Sequence, residues 1–197
     1  MATVLSLSGS PSPQSRTARL LRHLDRRLEC QGHTVLPLDI RDLPPEALFG
    51  ADFAHPALRD VTDLVARADG LVVATPVYKA AYSGALKALL DLLPQHALTG
   101  KTVLPLATGG STAHVLVVDY ALRPVLTSMG AHHVLPGWFV LDRAIDVASD
   151  GSVVLDEDTA AALHPVVDRF SAALVSLDVP ADGGEPTHPP TFSALSV

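Results

Sequence analysis

The chain has 197 residues, 48% of them hydrophobic and 18% charged, with a formal charge of −7; the pI is about 5.6 and the mean hydropathy +0.30. This is one domain with a full core, too apolar for a disordered chain, and without the Lys/Arg run of a nucleic-acid binder. The single cysteine, Cys30, excludes an intrachain disulfide and the zinc spacings that need several cysteines. No apolar run approaches the roughly 20 residues of a membrane span. The N-terminus has neither a basic n-region nor a small-residue cleavage site, so a soluble cytoplasmic protein with no membrane or nucleic-acid partner is expected.

Apolar runs alternate with amphipathic ones along the chain. Residues 2–8 read as a first strand. Residues 16–30 carry Leu20, Leu21, Leu24 and Leu28 at helical spacing, and Gly32 ends that helix. Cys30, at its end, reads as a small, half-buried packing side chain. Residues 33–39 form a second strand, placed at a sheet edge by Pro37. Residues 41–56 hold three prolines and read as a loop with short turns. A second helix over 57–68 turns Leu58, Val61, Leu64 and Val65 inward. A third strand covers 71–75, and Ser83 can cap a third helix that ends near Pro94. A fourth strand covers 102–108, a fourth helix 113–129 closed by Gly130, and a fifth strand lies within 132–140. Residues 145–156 read as a hairpin turning at Asp150-Gly151. The last helix runs over 158–175 with a kink or break at Pro165. The alternation predicts an α/β fold: a doubly wound, five-stranded parallel sheet of order 2-1-3-4-5 with helices on both faces. Residues 1–177 form the domain, and the Pro/Gly-rich stretch 178–197 is expected to be a mobile tail.

In such sheets ligands bind at the carboxyl ends of the strands. The loop after the first strand, Ser8-Gly-Ser-Pro-Ser-Pro-Gln-Ser-Arg-Thr17, has neither the dinucleotide glycine pattern nor that of a P-loop. It is dense in hydroxyls and runs into a helix N-terminus, where free N–H groups and the helix dipole attract an anion. Ser10, Ser15 and Thr17 can donate hydrogen bonds and Arg16 supplies charge; ordinary capping by Ser15 accounts for part of the same pattern. A second loop, Thr75-Pro-Val-Tyr78, follows the third strand, and a third, Thr108-Gly-Gly-Ser111, follows the fourth.

These loops together resemble those of the NADPH-dependent FMN reductases of the flavodoxin-like superfamily, and most of all the reductase component of two-component alkanesulfonate monooxygenase systems. Residues 68–87, 104–110 and 118–124 carry the likeness, which extends over residues 2 to about 175. The resemblance implies a flavodoxin-like fold, FMN as an exchangeable substrate or weakly held flavin, and NADPH as hydride donor. It also implies an FMN-dependent monooxygenase as partner and a homo-oligomer, dimer or tetramer. It places the FMN phosphate on Ser10, Ser15, Arg16 and Thr17. Pro76, Val77 and Tyr78 would flank the ribityl chain and isoalloxazine, and the backbone of Thr108, Gly109 and Gly110 would approach the pyrimidine. Members often carry an Arg two residues after the serine matching Ser10; Ser12 stands there in this chain. A charge-assisted hydrogen bond is worth about 1.5–3 kcal/mol, so flavin binding should be weak unless Arg16 compensates.

Within the fourth helix, Pro124 has no N–H to give the carbonyl of Tyr120, which calls for a kink or a π-bulge. The resemblance adds that Tyr120 matches an inserted tyrosine that makes a π-helix at the subunit interface near the flavin and tunes flavin retention and transfer. Hydride transfer between nicotinamide and flavin is chemistry of the cofactors, so no catalytic acid or base is expected. His114, His132 and His133 lack ligand spacing, and no metal is expected. Lys79, Lys87 and the acidic stretch 142–158 read as solvated surface. Two alternatives remain open on the sequence: a quinone or azo reductase with bound FMN, and a flavodoxin-like electron carrier without enzymatic activity.

Overall fold

The computed structural model describes residues 1–148 and 152–176. The turn expected at Asp150-Gly151 and the tail 178–197 lie outside the described residues.

The parallel sheet starts with β1 (Thr3–Ser8), followed by α1 (Arg16–Cys30) and β2 (Thr34–Asp39). A short helix α2 (Pro45–Phe49) and helix α3 (Pro56–Arg67) lead to β3 (Gly70–Tyr78), which folds back as β4 (Ala81–Tyr82) before α4 (Gly84–Leu92) and β5 (Thr102–Gly109). After α5 (Arg123–Ser128) come β6 (His133–Val134) and β7 (Trp138–Leu141), a hairpin of β8 (Ile145–Val147) with β9 (Val153–Leu155), and α6 (Glu157–Ser176). The sheet path is β2-β1-β3-β5-β6 with β7 also on β5, every one of these pairs parallel. This is the expected order with the fifth strand split in two.

The split has a local cause. Leu135-Pro136-Gly137 separates β6 from β7, and proline removes a ladder donor. A Cβ on Gly137 would lie 2.3 Å from the carbonyl oxygen of Pro105 and 2.4 Å from Val118 Cγ1, so the chain passes closer than any side chain allows.

Strand alternation feeds two cores. Leu5, Leu7, Leu71, Val73 and Val103 face α3, α4 and α5. Val4, Val72, Ala74, Leu104 and Leu106 face α1 and α6, where Phe170 is fully buried. The leucines read onto the inner face of α1 are all buried there. Asp25 lies on that face too, opposite Ser6 and Ser8 of β1, an arrangement the leucine spacing did not announce. β2 is the sheet edge, as Pro37 required, and α6 continues through Pro165.

Three expectations need correction. Cys30 is exposed rather than half-buried, because it ends α1 on the side away from Leu24 and Leu28. Residues 41–56 are more ordered than a loop: a 3₁₀ turn over Ile40–Asp42 precedes α2, whose Ala47 and Leu48 are buried. Pro45 is tolerated because it occupies the first helical turn. The single fourth helix is instead three pieces: a 3₁₀ turn, a π-helical turn and α5. Among the described residues no helix is long and apolar enough to cross a membrane.

Candidate cofactor cleft

The cleft opens at the carboxyl ends of β1, β3 and β5. Gly9 anchors the first loop: its N–H donates to the carbonyl of Ala74 at 2.7 Å, and its own carbonyl accepts from the Ser83 hydroxyl. A Cβ on Gly9 would sit 2.9 Å from Leu86 Cβ, so only glycine lets α4 pack this close. Ser83 also caps α4 by accepting from Leu86 N at 3.0 Å, as expected. The loop then turns on its own hydroxyls, with Ser12 N donating to Ser10 Oγ and Gln14 N to Ser12 Oγ, both at 3.3 Å. Ser15 caps α1, accepting from Ala18 N at 3.0 Å. The N–H groups of Arg16 and Thr17, first in the helix, have no intrahelical partner and present the positive end of the dipole. The capping and anion-binding readings of this loop are therefore compatible.

Thr17 ties the first loop to the third, its hydroxyl lying 2.6 Å from that of Thr108, with both buried. Thr75 ties the second loop to α4 by accepting from Ser83 N at 3.0 Å. The two-residue turn between β3 and β4 holds Lys79 at φ 50° and Ala80 at φ 61°, as a type I′ turn demands of residues that prefer negative φ. It fixes Tyr78, 47% exposed, at the cleft margin.

The resulting cleft has a volume of about 170 Å³. Its lining brings together Ser10, Ser15, Arg16 and Thr17 of the first loop, Pro76, Val77 and Tyr78 of the second, and Thr108 and Gly109 of the third. Gly110 is not in the lining: it is exposed, and a Cβ there would meet nothing within 4 Å. Gly109 is closely packed: a Cβ would lie 3.1 Å from the Phe139 ring, which would have to give way by a few tenths of an ångström, and in ordinary contact, 3.5 Å, with Val77 Cβ. Sequence reasoning missed Ser12, Gln14 and Asp142 as lining residues. Asp142 had been read as part of a solvated acidic surface; it is half-buried and opens the 3₁₀ turn Asp142–Ala144 directly after β7. Its signal was positional, the residue at the carboxyl end of the fifth strand, and it was lost because that strand runs to Leu141 rather than Val140.

Tyr120 is outside this cleft. It sits on a π-helical turn, Val118–Leu122, in which Arg123 N–H reaches back five residues to the carbonyl of Val118. The Arg123 side chain secures the turn, donating to Asp119 at 2.9 Å and to the carbonyls of Val134 and Leu135 at 2.8 and 2.9 Å. Val118 and Leu122 are buried, while Tyr120 is 79% and Leu116 58% exposed. These two, with Ala80, Ala113 and His114, line a neighbouring groove of about 300 Å³. Among the described residues no group of three or more His, Cys, Asp or Glu side chains is arranged to hold a metal; His133 Nδ1 instead lies 3.1 Å from the Thr102 hydroxyl.

A parallel α/β sheet with a hydroxyl-rich helix N-terminus at its strand-order reversal defines a flavodoxin-like flavoprotein architecture. The donor set suits a phosphorylated flavin: the first turn of α1 offers two N–H groups without intrahelical partners, and the hydroxyl residues Ser10 and Thr17 and the guanidinium of Arg16 line the same cleft. Residues 2–146 match the sequence model described as NADPH-dependent FMN reductase. The chain is 45% identical to the FMN reductase (NADPH) of Pseudomonas putida over 92% of each protein. It is 51% identical to the FMN reductase (NADPH) of Escherichia coli K12 over 72% of this chain and 74% of that one. A crystal structure described as the apo form of an NADH:FMN oxidoreductase has a TM-score of 0.79 and 42% identity, with 88% of this chain and 90% of that one covered. The chain belongs to the NADPH-dependent FMN reductase family, oxidoreductases that use FMN and NADPH.

Proposed function

We propose that the cleft takes FMN as an exchangeable substrate, that NADPH reduces it there, and that reduced FMN leaves for an FMN-dependent monooxygenase, in the manner of an alkanesulfonate system. The observation that carries this reading is the convergence of all three loops on one cleft that has a single cation, Arg16, among its lining residues. Such a site attracts a phosphate through helix N–H groups and hydroxyls but supplies little charge to retain it. The hydride chemistry belongs to nicotinamide and flavin when they are bound. The protein's part is positioning. Arg16, Thr17 and Ser10 hold the phosphate; Ser15 caps the helix that aims the N–H groups. Pro76, Val77 and Tyr78 form a wall for the ring, and the backbone of Thr108 and Gly109 forms the opposite edge. A cytoplasmic location accords with the single, unbridged cysteine.

Tyr120, Leu116 and Val115 form an exposed apolar surface beside the cleft hairpin. In this reading a second copy of the chain covers it, giving a dimer or tetramer in which the π-helical turn controls flavin retention.

NADPH oxidation measured against added FMN tests the exchange reading: the rate should saturate with FMN, and dialysis should strip the flavin. A stoichiometric flavin that survives dialysis, with a rate indifferent to added FMN, would instead support the quinone or azo reductase alternative. Tyr120→Ala is expected to shift the size distribution toward smaller species and to change the FMN Kd severalfold. Unchanged size, flavin retention and delivery would remove Tyr120 from the mechanism.

A further inference from the structure

Asp142 is an unexpected group in a cleft that suits an anion. It lines the same cleft as Arg16, Ser10 and Thr17. Its position is set by the sheet: β7 pairs with β5 so that Leu141 lies opposite Gly109, and Asp142 follows at once. On β5, the residue before Gly109 is Thr108, whose hydroxyl meets that of Thr17 in the first turn of α1. Asp142 therefore enters the cleft from the flank of β5 opposite β3 and its Pro76, Val77 and Tyr78, and shares that cleft with the first turn of α1. Among the described residues its carboxylate has no hydrogen-bond or ion-pair partner, so no structural interaction accounts for an acid at this place.

We infer that Asp142 lowers the affinity of the cleft for the phosphate of FMN and so promotes flavin release. The inference rests on the reading of the cleft as an FMN site. A half-buried carboxylate beside a bound phosphate repels it, and the repulsion is less screened than between two charges in open water. A site selected for retention would place a neutral or cationic group there. In this cleft the lining supplies one cation, Arg16, and sets a carboxylate, Asp142, against it, so both the scarcity of positive charge and the acid weaken the hold on a phosphate. The repulsion acts on the phosphate and not on the uncharged ring and ribityl chain, which makes it separable from general damage to the cleft.

The test is FMN and riboflavin binding to the whole protein by flavin fluorescence quenching, for wild type, Asp142→Asn and Asp142→Glu, at low and high salt. Asp142→Asn is nearly isosteric and breaks no side-chain hydrogen bond or ion pair among the described residues. It is expected to tighten FMN by about tenfold at low salt and by less at high salt. Riboflavin should stay within about twofold of wild type, and Asp142→Glu should keep wild-type affinity for both ligands. Unchanged or weakened FMN binding by Asp142→Asn would overturn the inference, as would an equal gain for riboflavin, which would place the carboxylate at the ring or ribityl chain. Wild-type protein that binds neither flavin would instead overturn the reading of the cleft itself.

Discussion

Arg16→Ala is expected to raise the Kd for FMN by about 10- to 100-fold and to leave thermal stability nearly unchanged. Arg16 is exposed at the first position of α1, lines the cleft, and makes no ion pair among the described residues. Its removal thus strands no buried partner. A hydrogen bond to a charged group is worth about 1.5–3 kcal/mol, which corresponds to the stated change in Kd. Arg16 is the one cation among the described lining residues, so no second one in the cleft takes over. Arg16→Lys should recover part of the loss, because a point charge attracts phosphate without the planar two-pronged geometry of guanidinium. Riboflavin binding should hardly respond. FMN affinity unchanged by Arg16→Ala would place the phosphate elsewhere.

The second large effect concerns stability. Burial pushes the Asp25 carboxyl up from its ordinary 3.8 to about 6, aided by the charges of Glu29 and Asp39 and opposed by the neighbouring Ser6 hydroxyl and Arg22. Asp25 Oδ1, Ser6 Oγ, Ser8 Oγ and Asp39 Oδ1 are buried without hydrogen-bond partners among the described residues, and all four residues line a void of about 20 Å³ under α1. Folding therefore raises this acid's affinity for its proton. Between pH ~4 and ~6 the folded state holds more protons than the unfolded one, so stability falls as pH rises through that window, and the full penalty is present above about pH 6. A shift of about two pH units corresponds to at most ~3 kcal/mol. Asp25→Asn keeps the shape and removes the charge. It should stabilise the protein by about 1–3 kcal/mol at pH 7.5, raising Tm by several degrees, and give little or no gain at pH 4. Urea unfolding at the two pH values checks this; an equal effect at both would mean that ionisation is not the cause.

Much of this molecule was legible locally. The leucine spacing of residues 16–30 is helical, and runs such as 70–75, short, apolar and β-branched, suit a strand covered on both faces. Pro37 marked the edge strand, and Pro124 marked a helix that could not continue regularly. That irregularity became a π turn because Arg123 could reach the carbonyl of Val118 and brace its side chain on Val134 and Leu135. Residues 41–56 were harder to read, since the helix there is five residues long and is supported by burial of Ala47 and Leu48 rather than by its own pattern. The fifth strand broke because Gly137 passes against Pro105 and Val118, contacts more than 15 residues away along the chain.

The first-loop, second-loop and third-loop residues were recognisable because the features that mark a candidate ligand loop lie in short segments: hydroxyls before a helix, a proline and tyrosine after a strand, paired glycines after another. Their meeting in one cleft was not. It depends on the clamp between Gly9, Ala74 and Ser83 and on the Thr17–Thr108 contact, which join residues 65 or more apart. The amino-acid sequence alone determined most of the strands and helices and the order of the sheet, and it marked the three loops as candidates for a ligand, since periodicity, capping and loop chemistry are properties of neighbours. Only the tertiary structure decided which charges face one another. It set Asp142 into the cleft, left Gly110 outside it and buried Asp25 under β1, because burial and electrostatics depend on distances in space that sequence separation does not encode.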